Sequence, residues 1–228
     1  MQKNPKVLYW IAGIICAVAV FVLWIDRPSA REEVLYAKYP VVSGHRGANC
    51  IAPENTMASA DSCIRYGIPF METDVTVSSD GVFYLLHDST LERTTDGEGQ
   101  PCEHDSAYLD ALDAGSWFGE AWAGQHLLRF EDLLEKAHDN NLNVTVDYRM
   151  GDFQELVALI RSKDMLERTC FTFSEESDCI EFRRLFPEVK TLQAYVTDLA
   201  DLDRIMELYS PNITWFDFFS IYDDRIFS

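Results

Sequence analysis

The sequence predicts an α/β fold built on a parallel sheet, and two observations support this prediction. From residue 130 onward, apolar segments of strand length alternate with amphipathic segments of helix length, which is the pattern of βα units. Residues 53–67 are helical in pattern and separate two strand-like segments, a length that suits the crossover between parallel neighbours. In total, six parallel strands are predicted, near residues 41, 70, 143, 170, 190 and 213.

The N-terminal part of the chain predicts a membrane anchor. Residues 7–25 are nineteen consecutive uncharged residues, enough to cross a bilayer as one helix. We therefore assign residues 1–26 to an anchor, 27–40 to a linker and 41–228 to the main folded domain. A cleaved signal peptide is the alternative. Lysines before the helix and mixed charges after it favour an extracytoplasmic domain, and hence a single-pass membrane protein.

Charge and cysteine content restrict the function. The net charge of −19 argues against binding to nucleic acid, whose phosphates need a basic surface. An anionic substrate would be repelled by the general surface, so a local cation would have to reverse the field at its site. The six cysteines include no CxxC pair, which gives no indication of a zinc site.

Two carboxylates share one face of the predicted apolar strand at residues 70–77. Side chains alternate along a strand, so Glu72 and Asp74 project to the same side. Burying two unpaired carboxylates is costly, and a hard cation with oxygen ligands stabilises them. The pattern therefore predicts that both residues bind a metal ion.

Two neighbouring segments bring histidines and an arginine to the same place. The strand at residues 41–47 ends with His45 and Arg46, and the carboxyl ends of parallel neighbours lie side by side. A four-residue turn after residue 77 is too short for a parallel crossover, so the strand at residues 82–88 should return antiparallel and deliver His87.

Together these side chains form a coherent set for cleaving a phosphodiester. A metal ion and an arginine neutralise the phosphoryl oxygens, one imidazole removes a proton, and the other protonates the leaving alkoxide. The alternative is structural: each histidine is an ordinary hydrogen-bonded residue, and the carboxylates form salt bridges.

At these positions the sequence resembles the glycerophosphodiester phosphodiesterase family. The resemblance implies a metal-dependent phosphodiesterase on a (β/α)8 TIM-type barrel, which cleaves glycerophosphodiesters to glycerol 3-phosphate and an alcohol. It implies that His45 and His87 are the acid and base. It also implies that Glu72 and Asp74 bind Ca²⁺ or Mg²⁺ and that Arg46 contacts phosphate. The motifs that carry it are His45-Arg46-Gly47, Pro53-Glu54-Asn55-Thr56, Glu72-Thr73-Asp74-Val75, His87-Asp88 and Arg93-Thr94-Thr95-Asp96-Gly97.

A second acid and base end the predicted strand near residue 143. Asp147 and Arg149 share one face there, where the family usually has a metal-binding Glu and a phosphate-contacting Lys. The resemblance thus implies that Asp147 is a third metal ligand, directly or through water, and that Arg149 binds substrate. A structural ion pair is the alternative.

Residues 77–128 predict a small insertion lobe after the second strand, similar to the insertion of family members. Its Trp117, Phe118 and Trp122 either line a groove for the substrate's alcohol group or form the lobe's own core.

A closed barrel has eight strands, so a count of six predicts a C-terminally incomplete barrel. Two alternatives to the glycerophosphodiester phosphodiesterase remain, and the strand count motivates only the second. One is a lysophospholipase D-type enzyme acting on lysophospholipids. The other is a truncated, non-catalytic, membrane-tethered relic of the family.

Overall fold

The structure is a computed structural model that describes residues 42–189, 192–195 and 213–217, all within one compact unit, Val41–Ser228. The anchor and linker predicted at residues 1–40 lie outside the described residues. Within the described residues, no helix has both the length and the apolar character needed to span a bilayer.

The described strands form one sheet. Six of them are parallel and follow the order β1-β2-β4-β5-β6-β7, while β3 pairs antiparallel with β2. The predicted parallel α/β sheet and its antiparallel excursion are confirmed. The strands are β1 Ser43–Gly44, β2 Phe70–Val77, β3 Phe83–Leu85, β4 Asn143–Tyr148, β5 Thr169–Phe173, β6 Leu192–Tyr195 and β7 Ile213–Asp217.

Side chains at the helix starts satisfy the free backbone N–H groups there. Thr56 and Ser59 form a reciprocal capping box at the start of the first helix, and Asp152 accepts hydrogen bonds from the backbone N–H groups of Gln154 and Glu155 at another. The helices are α1 Met57–Arg65, α2 Ser106–Leu109, α3 Phe130–Asp139, α4 Phe153–Ser162 and α5 Glu176–Leu185; short 3₁₀ turns occupy Pro101–Glu103, Glu120–Trp122 and Leu166–Arg168.

The main core lies between one face of the sheet and helices α1, α3, α4 and α5. The strands contribute apolar side chains to this core, because every second side chain of a strand points to the helices. Burial of this apolar surface is the main favourable term for folding. Its largest fully buried members are Phe130, Phe171, Phe182, Met71, Leu85, Leu133, Leu134, Leu156 and Ile160.

The first strand is shorter than the sequence predicts. Only Ser43 and Gly44 form β1, and His45 and Arg46 lie in the turn that follows rather than at the end of a buried strand. The turn continues through Gly47, whose φ of +79° and tight contact with Ser59 exclude a side chain.

The chain from β3 to the start of α3 has a cluster of buried side chains distinct from the main core. Hydrogen bonds also hold this part of the chain in place. Asp80 accepts hydrogen bonds from the backbone N–H and the hydroxyl of Ser106, and the Tyr84 hydroxyl donates to Asp110 at 2.7 Å. This cluster consists of Tyr84, Leu86, Leu91, Leu109, Leu112, Ala114 and Leu127.

Candidate active site

Three buried carboxylates converge on the sheet face opposite the main core. Glu72 and Asp74 project from β2, and Asp147 projects from β4 directly beside Asp74 in the strand register. Each offers one oxygen such that these oxygens all lie within 4.8 Å of one another. The sequence-predicted pair and the third acid are therefore brought together.

The acidic cluster is partly neutralised by two arginines. Arg149 donates from Nε and Nη2 to Oδ1 of Asp74 at 3.0 and 2.6 Å, and from Nη2 to Oδ2 of Asp147 at 2.9 Å. Nε of Arg46 lies 3.5 Å from Oδ2 of Asp74. Burial, with the negative charge of Asp74 beside it, raises the pKa of Glu72 to about 8. The two arginines therefore do not fully neutralise the three carboxylates.

The loop between β1 and α1 is fitted closely to these acids. The backbone N–H of Arg46 donates to Oε2 of Glu72 at 2.7 Å, and Arg46 adopts a left-handed φ of +51°. Such a conformation in a non-glycine residue is strained, and the surrounding hydrogen bonds maintain it. Asn55, at φ +56°, donates to Asp74 at 2.8 Å and accepts from the Thr73 hydroxyl at 2.8 Å.

His45 lies at the edge of the acidic cluster. Its Nε2 is 4.0 Å from Oε2 of Glu72, and its Nδ1 is 3.3 Å from the side-chain amide of Asn49. Its side chain is half exposed, so a substrate can reach it. Burial, followed by the charge of Arg46, lowers the pKa of His45. A lowered pKa keeps this imidazole in its neutral form near pH 7.

His87 follows β3 and is held by the next residue. Its Nδ1 lies 2.7 Å from Oδ1 of Asp88, whose pKa falls to about 2, chiefly because Arg93 donates hydrogen bonds to it. Arg93 also donates to Glu54, and Glu54 accepts from Nη1 of Arg46 at 2.9 Å.

Several polar residues that hold the site have no individual role predicted from the sequence. Asn55, Glu54, Asp88 and Arg93 all stood inside the quoted motifs, and that position was the available signal. Asn55 contacts Asp74 across 19 positions and Arg93 contacts Glu54 across 39, so spacing alone does not identify these two contacts.

The donor set fits a hard divalent cation. Three carboxylates supply the oxygen ligands that Ca²⁺ and Mg²⁺ prefer. On the same sheet face, Thr145 pairs in register with Glu72 and Thr172 with Asp147. Their buried hydroxyl oxygens have no hydrogen-bond partner within the described residues, which suits a site that accepts a hydrated ion.

The lobe's three aromatic residues lie outside its buried cluster. Trp117 packs edge-on against Phe118 at 5.5 Å between ring centroids, and Phe118 against Trp122 at 6.1 Å. Trp117 remains 40% exposed, so these rings do not form the lobe's core.

Fold and site define an α/β protein of the TIM-barrel type with a candidate metal centre at the carboxyl ends of its parallel strands. The particular family follows from sequence. The family model described as "Glycerophosphoryl diester phosphodiesterase family" matches residues 45–181, and the chain belongs to that family.

Individual relatives agree with this assignment. A glycerophosphodiester phosphodiesterase of Bacillus subtilis is 30% identical over 85% of this chain and 71% of that protein. The human glycerophosphoinositol inositolphosphodiesterase GDPD2 is 34% identical over 65% of this chain, which spans about a third, 32%, of the human protein's length. Likewise, this chain covers about a quarter, 26%, of a chicken glycerophosphodiester phosphodiesterase domain-containing protein 5.

A solved structure extends the likeness to three dimensions. An Oleispira antarctica phosphodiesterase, in complex with the product sn-glycerol-3-phosphate, has a TM-score of 0.65 and 28% identity, covering 76% of this chain and 74% of that one.

Proposed function

We propose that this chain is a divalent-cation-dependent phosphodiesterase that hydrolyses glycerophosphodiesters to glycerol 3-phosphate and an alcohol. The observation that carries the proposal is the cluster of three buried carboxylates, flanked by a histidine and two arginines. The relatives named above and the product held by the Oleispira antarctica protein support the substrate class.

Glu72, Asp74 and Asp147 are the residues that would hold Ca²⁺ or Mg²⁺. Such a cation, when bound, supplies positive charge against the phosphoryl oxygens. Arg46 and Arg149 add to that charge from the protein side, since both lie against Asp74. Two guanidinium groups can bind phosphate oxygens in a planar fork, which orients the phosphodiester.

The two histidines serve as the general acid and base. His45 lies beside the carboxylates with its side chain half exposed, so it can exchange a proton with a bound substrate. In His87, Asp88 fixes the ring through Nδ1 and leaves Nε2 for the substrate. Together they remove a proton from water and return one to the departing alkoxide.

The direct test is release of glycerol 3-phosphate from glycerophosphocholine, with and without a chelator. We expect turnover that the chelator abolishes and that either Ca²⁺ or Mg²⁺ restores; the more effective ion identifies the native cofactor. Undiminished turnover in chelator would remove the cation from the proposal, and binding of the cation without any turnover would indicate the non-catalytic relic.

Histidine variants test the acid and base roles. His45→Ala and His87→Ala should each lower kcat roughly 10²–10⁴-fold, the usual contribution of general acid–base catalysis. His138→Ala is the matched control, because His138 is exposed on α3 and pairs with Asp139. Full activity in either of the first two variants would contradict the mechanism.

For the leaving alcohol, we propose that the aromatic set of Trp117, Phe118 and Trp122, of which Trp117 is exposed and the other two are partly exposed, contacts it. Rings that do not serve the lobe's core are available for an apolar or cationic group. Trp117→Ala should raise KM for glycerophosphocholine or for lysophosphatidylcholine. Preference for the second substrate would favour the lysophospholipase D-type reaction.

Attachment to the membrane is part of the proposal. The uncharged segment at residues 7–25 supports a single-pass anchor, with the domain on the extracytoplasmic side. Extraction of the full chain from membranes by detergent but not by carbonate would agree with an anchor. Release of a chain that starts after residue 26 would indicate a cleaved signal.

A further inference from the structure

A series of ion pairs connects the loop of His87 with the loop of Arg46, and Arg93 lies at its centre. On one side Arg93 donates to Glu54, from Nη1 to Oε2 at 3.0 Å and from Nη2 to Oε1 at 2.7 Å. On the other side it donates to Asp88, from Nε to Oδ2 at 2.5 Å and from Nη2 to Oδ1 at 3.0 Å.

Each of the two carboxylates holds a residue of the proposed site. Glu54 accepts from Nη1 of Arg46 at 2.9 Å, and Oδ1 of Asp88 lies 2.7 Å from Nδ1 of His87. The series therefore runs Arg46, Glu54, Arg93, Asp88, His87, with carboxylates separating the cationic groups. One guanidinium connects a phosphate-binding side chain to a proton-transferring one.

The connection joins parts of the chain that are distant in sequence. Glu54 precedes α1, whereas Arg93 follows β3, and the two are 39 positions apart. The relative position of the two loops therefore depends on side-chain contacts such as these. A lysine could not replace the arginine, because an ammonium group has no planar fork to engage two carboxylates at once.

We propose that Arg93 is a positioning residue: it sets the distance between His87 and Arg46, and so aligns the imidazole with the bound phosphodiester. This inference rests on the proposed function, in which those two residues act on the substrate. Misplacement of a catalytic group by about 1 Å can cost on the order of 10²-fold in rate. The effect of Arg93 should hence appear in catalysis.

A purely structural role would give a different result. Arg93 is 42% exposed, and exposed ion pairs contribute little to stability. Arg129 provides a matched control, because it forms the same kind of fork on Asp110 of the lobe, from Nε at 2.8 Å and from Nη2. It contacts none of the proposed site residues in the hydrogen bonds of the described region.

The kinetic experiment compares Arg93→Gln with four other variants. We expect Arg93→Gln to lower kcat by about 10–100-fold, as Asp88→Asn does, and to raise KM, as Glu54→Gln does. Arg93→Lys should recover only part of the loss. Arg129→Gln should leave both constants within about twofold of wild type, and all five variants should unfold at similar temperatures.

Coupling sharpens the test. Adding Arg93→Gln to Asp88→Asn should lower kcat by no more than about twofold further, because both changes break the same connection. The proposal is overturned if Arg93→Gln keeps wild-type kcat and KM, if its full kcat effect persists in the Asp88→Asn background, or if Arg93→Lys behaves as wild type.

A spectroscopic measurement separates this inference from the proposed function. In ¹⁵N-labelled protein, the Nδ1 signal of His87, assigned with His87→Gln, reports the hydrogen bond to Asp88. We expect Arg93→Gln to shift it and Arg129→Gln to leave it unchanged; an unshifted signal in Arg93→Gln contradicts the positioning role. Failure to release glycerol 3-phosphate would refute the proposed function alone.

Discussion

One face of the parallel sheet packs in the main core and the other carries the three carboxylates, although the same strands form both faces. On the helix-covered face, Met71, Val75 and Val146 are fully buried among apolar side chains. On the opposite face, their sequence neighbours Glu72 and Asp147 converge on a cation-sized space. Because side chains alternate along a strand, one residue packs in the core and the next faces the proposed site. Substitutions one residue apart should affect different properties, and this difference can be tested.

The largest effect is expected on the polar face. Glu72→Gln keeps the size of the side chain but removes one of the three carboxylates of the cluster. A bound cation contributes several kcal/mol to transition-state stabilisation, so activity should fall by roughly 10²-fold or more. The free energy of unfolding, measured with urea, should not decrease, because a buried carboxylate near other negative charges does not favour folding. A clear loss of stability with retained turnover would reverse the assignment of the two faces.

The neighbouring position should give the opposite pattern. Met71→Ala removes a fully buried side chain of the main core, so the free energy of unfolding should fall by about 2–5 kcal/mol. At temperatures where the variant remains folded, kcat should match wild type. Ile180→Ala is the control, because Ile180 is an apolar residue that is 53% exposed on α5. An equal loss of stability in both variants would argue against a one-sided core.

The difference between the two faces can be predicted from the sequence, because the alternation of side chains along a strand is a local property. The period-2 pattern at residues 70–77 predicted that Glu72 and Asp74 share a face, and Asp147 joined them through the parallel register of β4 with β2. Predicted strands and helices along the described residues occur within a few positions of the expected ends.

Contacts between loops could not be predicted in the same way. Arg93 meets Glu54 across 39 positions, and no periodicity links the two residues. The sequence predicts a strand at His45 and Arg46, where the structure has a turn. The left-handed φ of Arg46 depends on hydrogen bonds from Arg46 and Asn55 to partners distant in sequence, which a local pattern does not reveal. Tertiary contacts rather than local preference determine these details.

The polar face should also make the cation-free protein sensitive to pH. Burial and the charge of Asp74 raise the pKa of Glu72 from the usual 4.5 to about 8. Between these values the folded chain binds a proton that the unfolded chain has released, so stability falls as pH rises. Asp88, with a pKa of about 2, stays ionised over this pH range, so it does not make the free energy of unfolding depend on pH there.

In the presence of a chelator, the melting temperature should therefore be several degrees higher at about pH 6 than at about pH 8. Glu72→Gln should weaken this dependence, because its amide does not titrate in that range. A wild-type melting temperature that rises over the same interval would show that Glu72 is ionised in the folded, cation-free chain.

The smallest expected effect concerns Arg149, which shares the polar face with the carboxylates. Its guanidinium donates to Oδ1 of Asp74 and to Oδ2 of Asp147, oxygens of the same carboxylates that would hold a divalent cation. Positive charge from the protein and from the cation therefore compete for the same acids. The family's usual lysine would place a compact ammonium here, whereas arginine engages both carboxylates through its fork.

We accordingly expect Arg149→Gln to bind Ca²⁺ about tenfold more tightly, since hydrogen bonds between charged groups contribute about 1.5–3 kcal/mol and tenfold corresponds to about 1.4 kcal/mol. Isothermal titration calorimetry measures this without turnover. Arg161→Gln is the control for net charge, because Arg161 pairs with Glu188 in the last turn of α4. Equal tightening in both variants would assign the effect to the overall charge of the chain. Weaker binding in Arg149→Gln would show that the arginine supports the arrangement of the acids instead of competing for them.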